Sequence, residues 1–207
     1  MTLLLVLLLS LGAALAQNTT ECDGLKANFD LKKVIGAWYV VAIIPGKQFP
    51  ERQKEVTCFQ MELSETDEAG LRWLMNKELG LHESSIDGTI VRQRYHLEQP
   101  FDIWSRSTGN GCFRQVLSLD TNHTQIGEAL SHNATMQLHL IETKEDGVFL
   151  VQILWGKMVS AVIYRPQMEV TQDQLKPAYN FMTELRGTQR LPIICDNTLR
   201  SILQYVN

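Results

Sequence analysis

Short runs in which apolar and polar residues alternate fill the chain between Gly36 and Pro166. Alternation at every second position is typical of a β-strand with one buried face, and turn-forming residues such as Gly, Asn, Asp or Pro bound the runs. Eight such runs are present, at 36–45, 56–63, 70–76, 88–97, 112–119, 134–141, 148–154 and 159–165. Eight strands with short connections suffice to close a barrel around one small ligand. We therefore predict an all-β fold, an eight-stranded antiparallel up-and-down barrel, with an open sandwich as the alternative.

Two further segments complete the predicted architecture. Segment 101–108 fits either a loop across the barrel mouth or part of a long hairpin between the fourth and fifth runs. A helix near 171–186 is predicted because one apolar stripe ends at Gly187, and the stripe contains Leu175, Tyr179, Met182 and Leu185. Pro177 should mark the start of this helix or kink it, because proline lacks a backbone N–H. A helix with a single apolar stripe should pack on the outside of the barrel.

The start of the chain predicts export. Residues 1–16 are almost wholly apolar and end in Ala14-Leu15-Ala16, the small-residue pattern of a signal-peptide cleavage site. The run is shorter than the ~20 apolar residues that a membrane-spanning helix needs. We predict a signal peptide at 1–16 and a single secreted domain at 17–207.

The cysteines and the glycosylation motifs point to the same extracellular location. The chain contains 4 Cys, which are Cys22, Cys58, Cys112 and Cys195. An even number of cysteines in an exported chain predicts two disulfides, and the sequence alone allows three pairings. Acceptor motifs for N-linked glycosylation begin at Asn18, Asn122 and Asn133.

Composition and motifs argue against several classes of function. The chain has 19 Lys and Arg against 23 Asp and Glu, a net charge of −4, so nothing indicates binding to nucleic acid or to an anionic membrane. The sequence contains no G-x-S-x-G, H-E-x-x-H, P-loop or dinucleotide-binding fingerprint. We therefore predict no enzymatic activity, no metal and no cofactor.

Both ends of the strand series resemble the lipocalin family. Leu31-Lys-Lys-Val-Ile-Gly-Ala-Trp-Tyr39 is similar to the opening motif of that family, a helical turn that runs into G-x-W-Y. Val162-Ile-Tyr-Arg165-Pro is similar to the last-strand motif. The continuation Ile44-Pro45, Pro50-Glu-Arg-Gln and Val56-Thr-Cys58 resembles the branch of apolipoprotein D and arthropod lipocalins in particular.

The resemblance implies roles at the barrel floor and for the cysteines. Gly36 would let the chain turn sharply into the first strand, and Trp38 would plug the floor. Arg165 would lie across the Trp38 ring and donate to backbone carbonyls of the N-terminal turn. A disulfide between Cys58 and Cys195 would pin the C-terminal segment to the barrel wall, which leaves Cys22–Cys112 as the second pair. The family's middle Thr-Asp-Tyr motif is absent, and residues 142–147 occupy its place, so the chain resembles a divergent member.

A lipocalin-like barrel implies a secreted carrier of a small hydrophobic ligand, such as a lipid, a retinoid, a sterol-like molecule or a pigment. Peripheral contact with lipid particles or a receptor is a second kind of partner that the resemblance allows. The apolar faces of the runs predict the cavity lining, and a packed core is the alternative at each position. The predicted lining residues are Phe59, Met61, Trp73, Met75, Val91, Tyr95, Phe113, Leu117, Leu138 and Leu140.

One other ligand and one other function stay open. Some arthropod lipocalins bind haem through a histidine, but His96 and His139 are predicted to point outward, and His82, His123 and His132 lie in polar surroundings, so all are predicted to be solvated. The alternative function is a secreted interaction protein, a protease inhibitor or mediator scavenger. It would act through loops 46–55, 77–87 and 101–111, with contacts from Arg92, Arg94 and Arg106.

Overall fold

The computed structural model describes residues 22, 27–52, 55–66, 69–72, 88–97, 100–120, 135–155 and 157–196. Within these ranges the strands are β1 (Gly36–Pro45), β2 (Gln60–Thr66), β3 (Ile90–His96), β4 (Phe101–Gly109), β5 (Cys112–Asp120), β6 (Thr135–Thr143), β7 (Gly147–Leu154), β8 (Val159–Arg165) and β9 (Ile193–Ile194). The helices α1 (Leu31–Val34) and α2 (Lys176–Arg186) flank the series of barrel strands.

Strands β1 to β8 form one closed antiparallel up-and-down barrel, as predicted. Each strand pairs with its neighbours in the chain, and β1 closes the barrel by pairing with both β2 and β8. The short strand β9 lies outside this ring and pairs with the second half of β1, beyond the part that β2 occupies. Because the strands alternate in direction, the β1–β2, β3–β4, β5–β6 and β7–β8 connections gather at one end, here called the mouth. The α1 end is called the floor.

The eight barrel strands are not the eight predicted runs. Segment 101–108 lies within β4, so the hairpin alternative is the correct one and the loop across the mouth is wrong. The run predicted at 70–76 is wrong in its described part, because residues 69–72 are helical. Leu71 from that turn is buried on the outside of the barrel with Ile90 and Trp104. A helical turn, and not a strand, therefore supplies the leucine that covers this outer apolar patch.

Side chains alternate between two apolar layers. The inward layer includes Trp38, Met61, Tyr95, Leu138 and Tyr164, and it faces the barrel interior. The outward layer on β1, β7 and β8 packs beneath α2, where the helix buries Ala178 and Met182. Pro177 lies in the first turn of α2 and does not kink it, and the helix ends at Gly187, whose φ of +74° suits glycine. The predicted external helix is confirmed, with a later start than 171.

The predicted disulfides are both present. Cys58–Cys195 joins the segment before β2 to the C-terminal segment, and the Cys195 N–H donates to Val41 O at 3.0 Å. The C-terminal segment is therefore held against the barrel wall, as the resemblance implied. Cys22–Cys112 joins the N-terminal segment to the start of β5. The same N-terminal segment crosses the floor, where the Leu140 N–H donates to Asn28 O at 2.8 Å.

Several predicted features lie outside the described residues. They are the signal peptide at 1–16, the loop 77–87, Asn18, Asn122, Asn133, Trp73, Met75, His82, His123 and His132. Among the residues that are described, no helix combines the length and the apolar character needed to cross a bilayer.

Candidate ligand-binding interior

The barrel floor is built around Trp38. Its side chain is 5% exposed, and its indole N–H donates to the Val34 carbonyl at 2.7 Å. That carbonyl belongs to the last turn of α1, so the tryptophan satisfies a helix-end acceptor while it fills the barrel. Gly36 enters β1 with a φ of +130°, a conformation that residues with a Cβ rarely adopt. The predicted roles of Gly36 and Trp38 at the floor agree with this geometry.

Arg165 does not lie across Trp38, which corrects the prediction. Side chains alternate along β8, so Tyr164 points into the barrel and Arg165 points out of it. The guanidinium lies 5.1 Å from the ring centroid of Phe149, which is on the outer face. It donates to Asp146 O at 2.7 Å and to Glu169 O at 2.9 Å, rather than to the N-terminal turn. Arg165 therefore ties the β6–β7 turn to the segment after β8.

The substitution Arg165→Lys tests this placement. We expect it to lower the free energy of unfolding by about 1–2 kcal/mol, because a lysine ammonium is a point donor and cannot span two carbonyls and stack on Phe149. The indole N–H resonance of Trp38 should not shift, since the two side chains leave opposite faces of the sheet. Chemical denaturation and a proton–nitrogen NMR spectrum give the two readouts. A large shift of the Trp38 resonance would restore the original prediction.

Most of the predicted lining residues do lie in the barrel interior. Met61, Val91, Tyr95, Phe113, Leu138 and Leu140 belong to the buried inward cluster, and Phe59 packs against it. Near the mouth, Tyr95 stacks on Phe101 with ring centroids 4.8 Å apart, and Phe59 lies 5.8 Å from Tyr95. Near the floor, Phe29 meets Phe113 edge-on at 5.4 Å. The described interior is thus aromatic at both ends.

Among the described residues of the predicted lining, Leu117 is the exception, because it does not lie in the barrel interior. The β4–β5 register pairs Ser105 with Gln115 but Trp104 with Leu117, so Val116 is an extra residue in a β-bulge. The bulge reverses the alternation, and Leu117 and Leu119 join Trp104, Ile90 and Leu71 on the outer face. A strict period of two along the fifth run could not reveal this.

A polar bridge crosses the middle of the barrel. Gln93 on β3 donates through Nε2 to Gln152 Oε1 on β7 at 3.3 Å, and the Tyr164 hydroxyl donates to the same oxygen at 2.6 Å. Tyr95 is hydrogen-bonded to Gln152 and Tyr164. Burial raises the pKa of Tyr95 and raises that of Tyr164 well above its ordinary value, so both phenols stay protonated. The bridge is therefore a neutral network of donors and acceptors.

One wall of the interior is more polar than the rest. The registers of β3, β4 and β5 place Gln93, Ile103 and Ser118 in one row across the sheet, and Val91, Ser105 and Gln115 in the next. All four polar members of these rows, Gln93, Ser105, Gln115 and Ser118, are at most 5% exposed. The sequence indicates the inward position of Gln93, because Gln93 alternates in phase with Val91 and Tyr95. The bulge at Val116 concealed Ser118.

The histidines are arranged partly as predicted. His96 points outward, its imidazole is 42% exposed, and its Nε2 lies 3.8 Å from Glu62 Oε2. His139 also points outward, but the prediction that it is solvated is wrong, because α2 covers it. It is 2% exposed, and its ring lies 4.8 Å from that of Phe181. Burial lowers the pKa of His139 to about 4.

The arginines proposed as partner contacts lie on the outer faces of strands. Arg92 and Arg94 both bind the buried carboxylate of Asp102, at 2.6 Å and 2.9 Å. Burial opposes ionisation of Asp102, but the hydrogen bonds and charges of the two arginines outweigh it and hold its pKa below the ordinary value. Segment 101–109 is strand β4, and Arg106 also lies on it. These residues do not form a loop surface at the mouth.

Comparison with known proteins adds no family to this geometry. No family model matches the chain, and no curated protein matches it. The described residues also contain no group of three or more His, Cys, Asp or Glu side chains placed to hold a metal ion.

Proposed function

We propose that this chain is an exported, non-catalytic carrier of a small hydrophobic ligand and a divergent relative of the lipocalins. The observation that carries the proposal is the interior of a closed eight-stranded barrel, lined by apolar and aromatic side chains around a few buried hydrogen-bonding groups. Sites for small apolar molecules have this composition, since the apolar wall supplies affinity and the few polar groups fix orientation. Burial of apolar ligand surface would contribute roughly 25 cal/mol per Å², less the costs of ordering.

Export is supported by the cysteines. The two disulfides use all 4 cysteines of the chain. Disulfides form and persist in oxidising compartments, and the signal-like residues 1–16 agree with that environment. The same pairing leaves no thiol for the cysteine-based isomerase chemistry of a few lipocalin-like proteins.

Organic extraction of protein secreted by its natural source, followed by mass spectrometry, tests the carrier function. We expect an apolar small molecule in a ratio near one per chain. Leu154→Trp should lower this ratio at least by about half, because Leu154 packs against the interior cluster near the mouth and a larger ring would fill ligand space. Met158→Trp is the matched control, since Met158 is 48% exposed in the β7–β8 turn. Native mass spectrometry of the same material tests the alternative. An intact partner protein bound to the chain, with no small molecule, would favour the interaction-protein function.

A further inference from the structure

The cross-barrel bridge leaves one buried acceptor unused. Gln93 is 1% exposed, and its amide is oriented because Nε2 donates to Gln152 Oε1. Its own oxygen, Oε1, is buried and has no hydrogen-bond partner. An unpaired buried acceptor is energetically costly, so such groups in native proteins usually have a partner, and a bound molecule is one source of it.

A second unused group lies in the same interior row. Ser118 is 0% exposed, and its hydroxyl oxygen also has no hydrogen-bond partner. Gln93 pairs with Ile103, and Ile103 pairs with Ser118, so the two polar side chains are two strands apart on the inner face. Adjacent strands are spaced about 4.8 Å apart, which separates the two positions by about 10 Å. Two unused polar groups on one wall mark a polar edge that faces an otherwise apolar interior.

The chemistry of these groups selects the ligand. We propose, on the basis of the carrier function above, that the barrel binds a neutral, hydroxylated apolar molecule whose hydroxyl donates a hydrogen bond to Gln93 Oε1. An amide oxygen accepts hydrogen bonds and donates none. A ligand hydroxyl supplies the missing donor, whereas an ionised carboxylate has no proton to offer and would place two acceptors against each other. The Ser118 hydroxyl can donate to, or accept from, a second oxygen on the same ligand edge.

Two matched probe pairs test this selectivity with the full-length secreted protein at pH 7.5. Retinol and retinoic acid share one ring and one chain and differ only at the polar end, and their binding is followed by quenching of tryptophan fluorescence. Hexadecan-1-ol and hexadecanoic acid repeat the comparison on a flexible chain, as competitors of the bound retinoid. In each pair we expect the alcohol to bind at least about tenfold more tightly, the effect of one satisfied against one unsatisfied buried acceptor.

The substitution Gln93→Leu assigns the preference to one atom. It should remove most of the difference between alcohol and acid by weakening the alcohol alone. Gln60→Leu is the matched control, because it makes the same change on the outer face of β2, and it should leave the preference intact. Ser118→Ala should weaken a ligand that carries two hydroxyls more than one that carries a single hydroxyl. If Gln93→Leu does not fold, Gln93→Met takes its place, and its preference for alcohol over acid is compared with that of the wild-type protein.

The possible results separate the two proposals. Equal affinity within each pair, or tighter binding of the acids, would overturn the hydroxyl selectivity and leave the carrier function standing. A preference for alcohols that survives Gln93→Leu would overturn the role of Gln93. If none of the four probes binds, the hydroxyl selectivity is overturned, and the extraction experiment decides the carrier function by itself.

Discussion

Replacing Trp38 with alanine is expected to lower the free energy of unfolding by about 3–5 kcal/mol, the range for a buried tryptophan cut back to a methyl group. The indole is 5% exposed and packs in the inward cluster with Val34, Val40 and Met61. Its removal would leave a cavity at the floor and would also strip the Val34 carbonyl of the N–H that it accepts at 2.7 Å. Both effects act in the same direction, since one removes packing and the other leaves a buried acceptor unpaired.

Trp155→Ala is the matched control for this experiment. Trp155 is half-buried on the outside of the barrel, where its ring lies 5.3 Å from the Arg186 guanidinium. The same truncation there should cost less than about 2 kcal/mol, because less surface returns to water and no cavity forms. Urea denaturation at a single pH measures both variants. Equal losses, or an unchanged stability of Trp38→Ala, would contradict the assignment of Trp38 as the plug of the floor.

The fold could be predicted because its main determinants are local in the sequence. The alternation of apolar and polar residues marks strands such as β2 and β6 directly. The region around Trp38 combines a positive-φ glycine, a large aromatic and a continuous apolar strand, and such a combination has few structural solutions. The cysteine pairing, in contrast, could not be derived from spacing and came only from the resemblance to lipocalins.

The errors arise where tertiary context changes the meaning of a pattern. The sequence of strand β4 is ambiguous because its outward Asp102 is buried by two arginines and its inward Ser105 is polar, which obscures the usual contrast between apolar and polar faces. One inserted residue at Val116 moves Leu117 to the opposite face. Arg165 follows the alternation of β8 and so leaves the face opposite to Trp38. Each of these depends on a neighbouring strand that the local sequence does not specify.

The polar interior is the part of the candidate site that the sequence indicated least. Glutamines and serines in a strand pattern are usually assigned to solvent, so a wall containing Gln93, Ser105, Gln115 and Ser118 resembles an exposed face. Only closure of the barrel turns this wall inward, where all four become buried. A hydrogen-bonding edge within an apolar container is what allows a carrier to distinguish ligands of similar shape.

His139 should make the stability of the barrel strongly dependent on pH. Its pKa falls from an ordinary value of 6.5 to about 4 in the folded protein because α2 buries it. Between pH 6.5 and pH 4, His139 is therefore protonated in the unfolded chain but stays neutral in the folded chain. The free energy of unfolding falls as the pH falls through this window. The contribution of His139 amounts to about 3 kcal/mol between pH 7 and pH 4, at 1.36 kcal/mol for each unit of pKa difference.

His139→Leu isolates this contribution from the acidic groups that titrate over the same range. Leucine keeps an apolar contact with Phe181 and cannot be protonated, so the variant should lose about 3 kcal/mol less stability than the wild type between pH 7 and pH 4. His96→Leu makes the same change at a histidine that is 42% exposed, and it serves as the matched surface control for the loss of an imidazole. Urea denaturation at half-unit pH intervals measures all three proteins. If the His139→Leu profile runs parallel to the wild-type profile, the pKa of His139 is not lowered in the folded protein, and this account of the pH dependence is overturned.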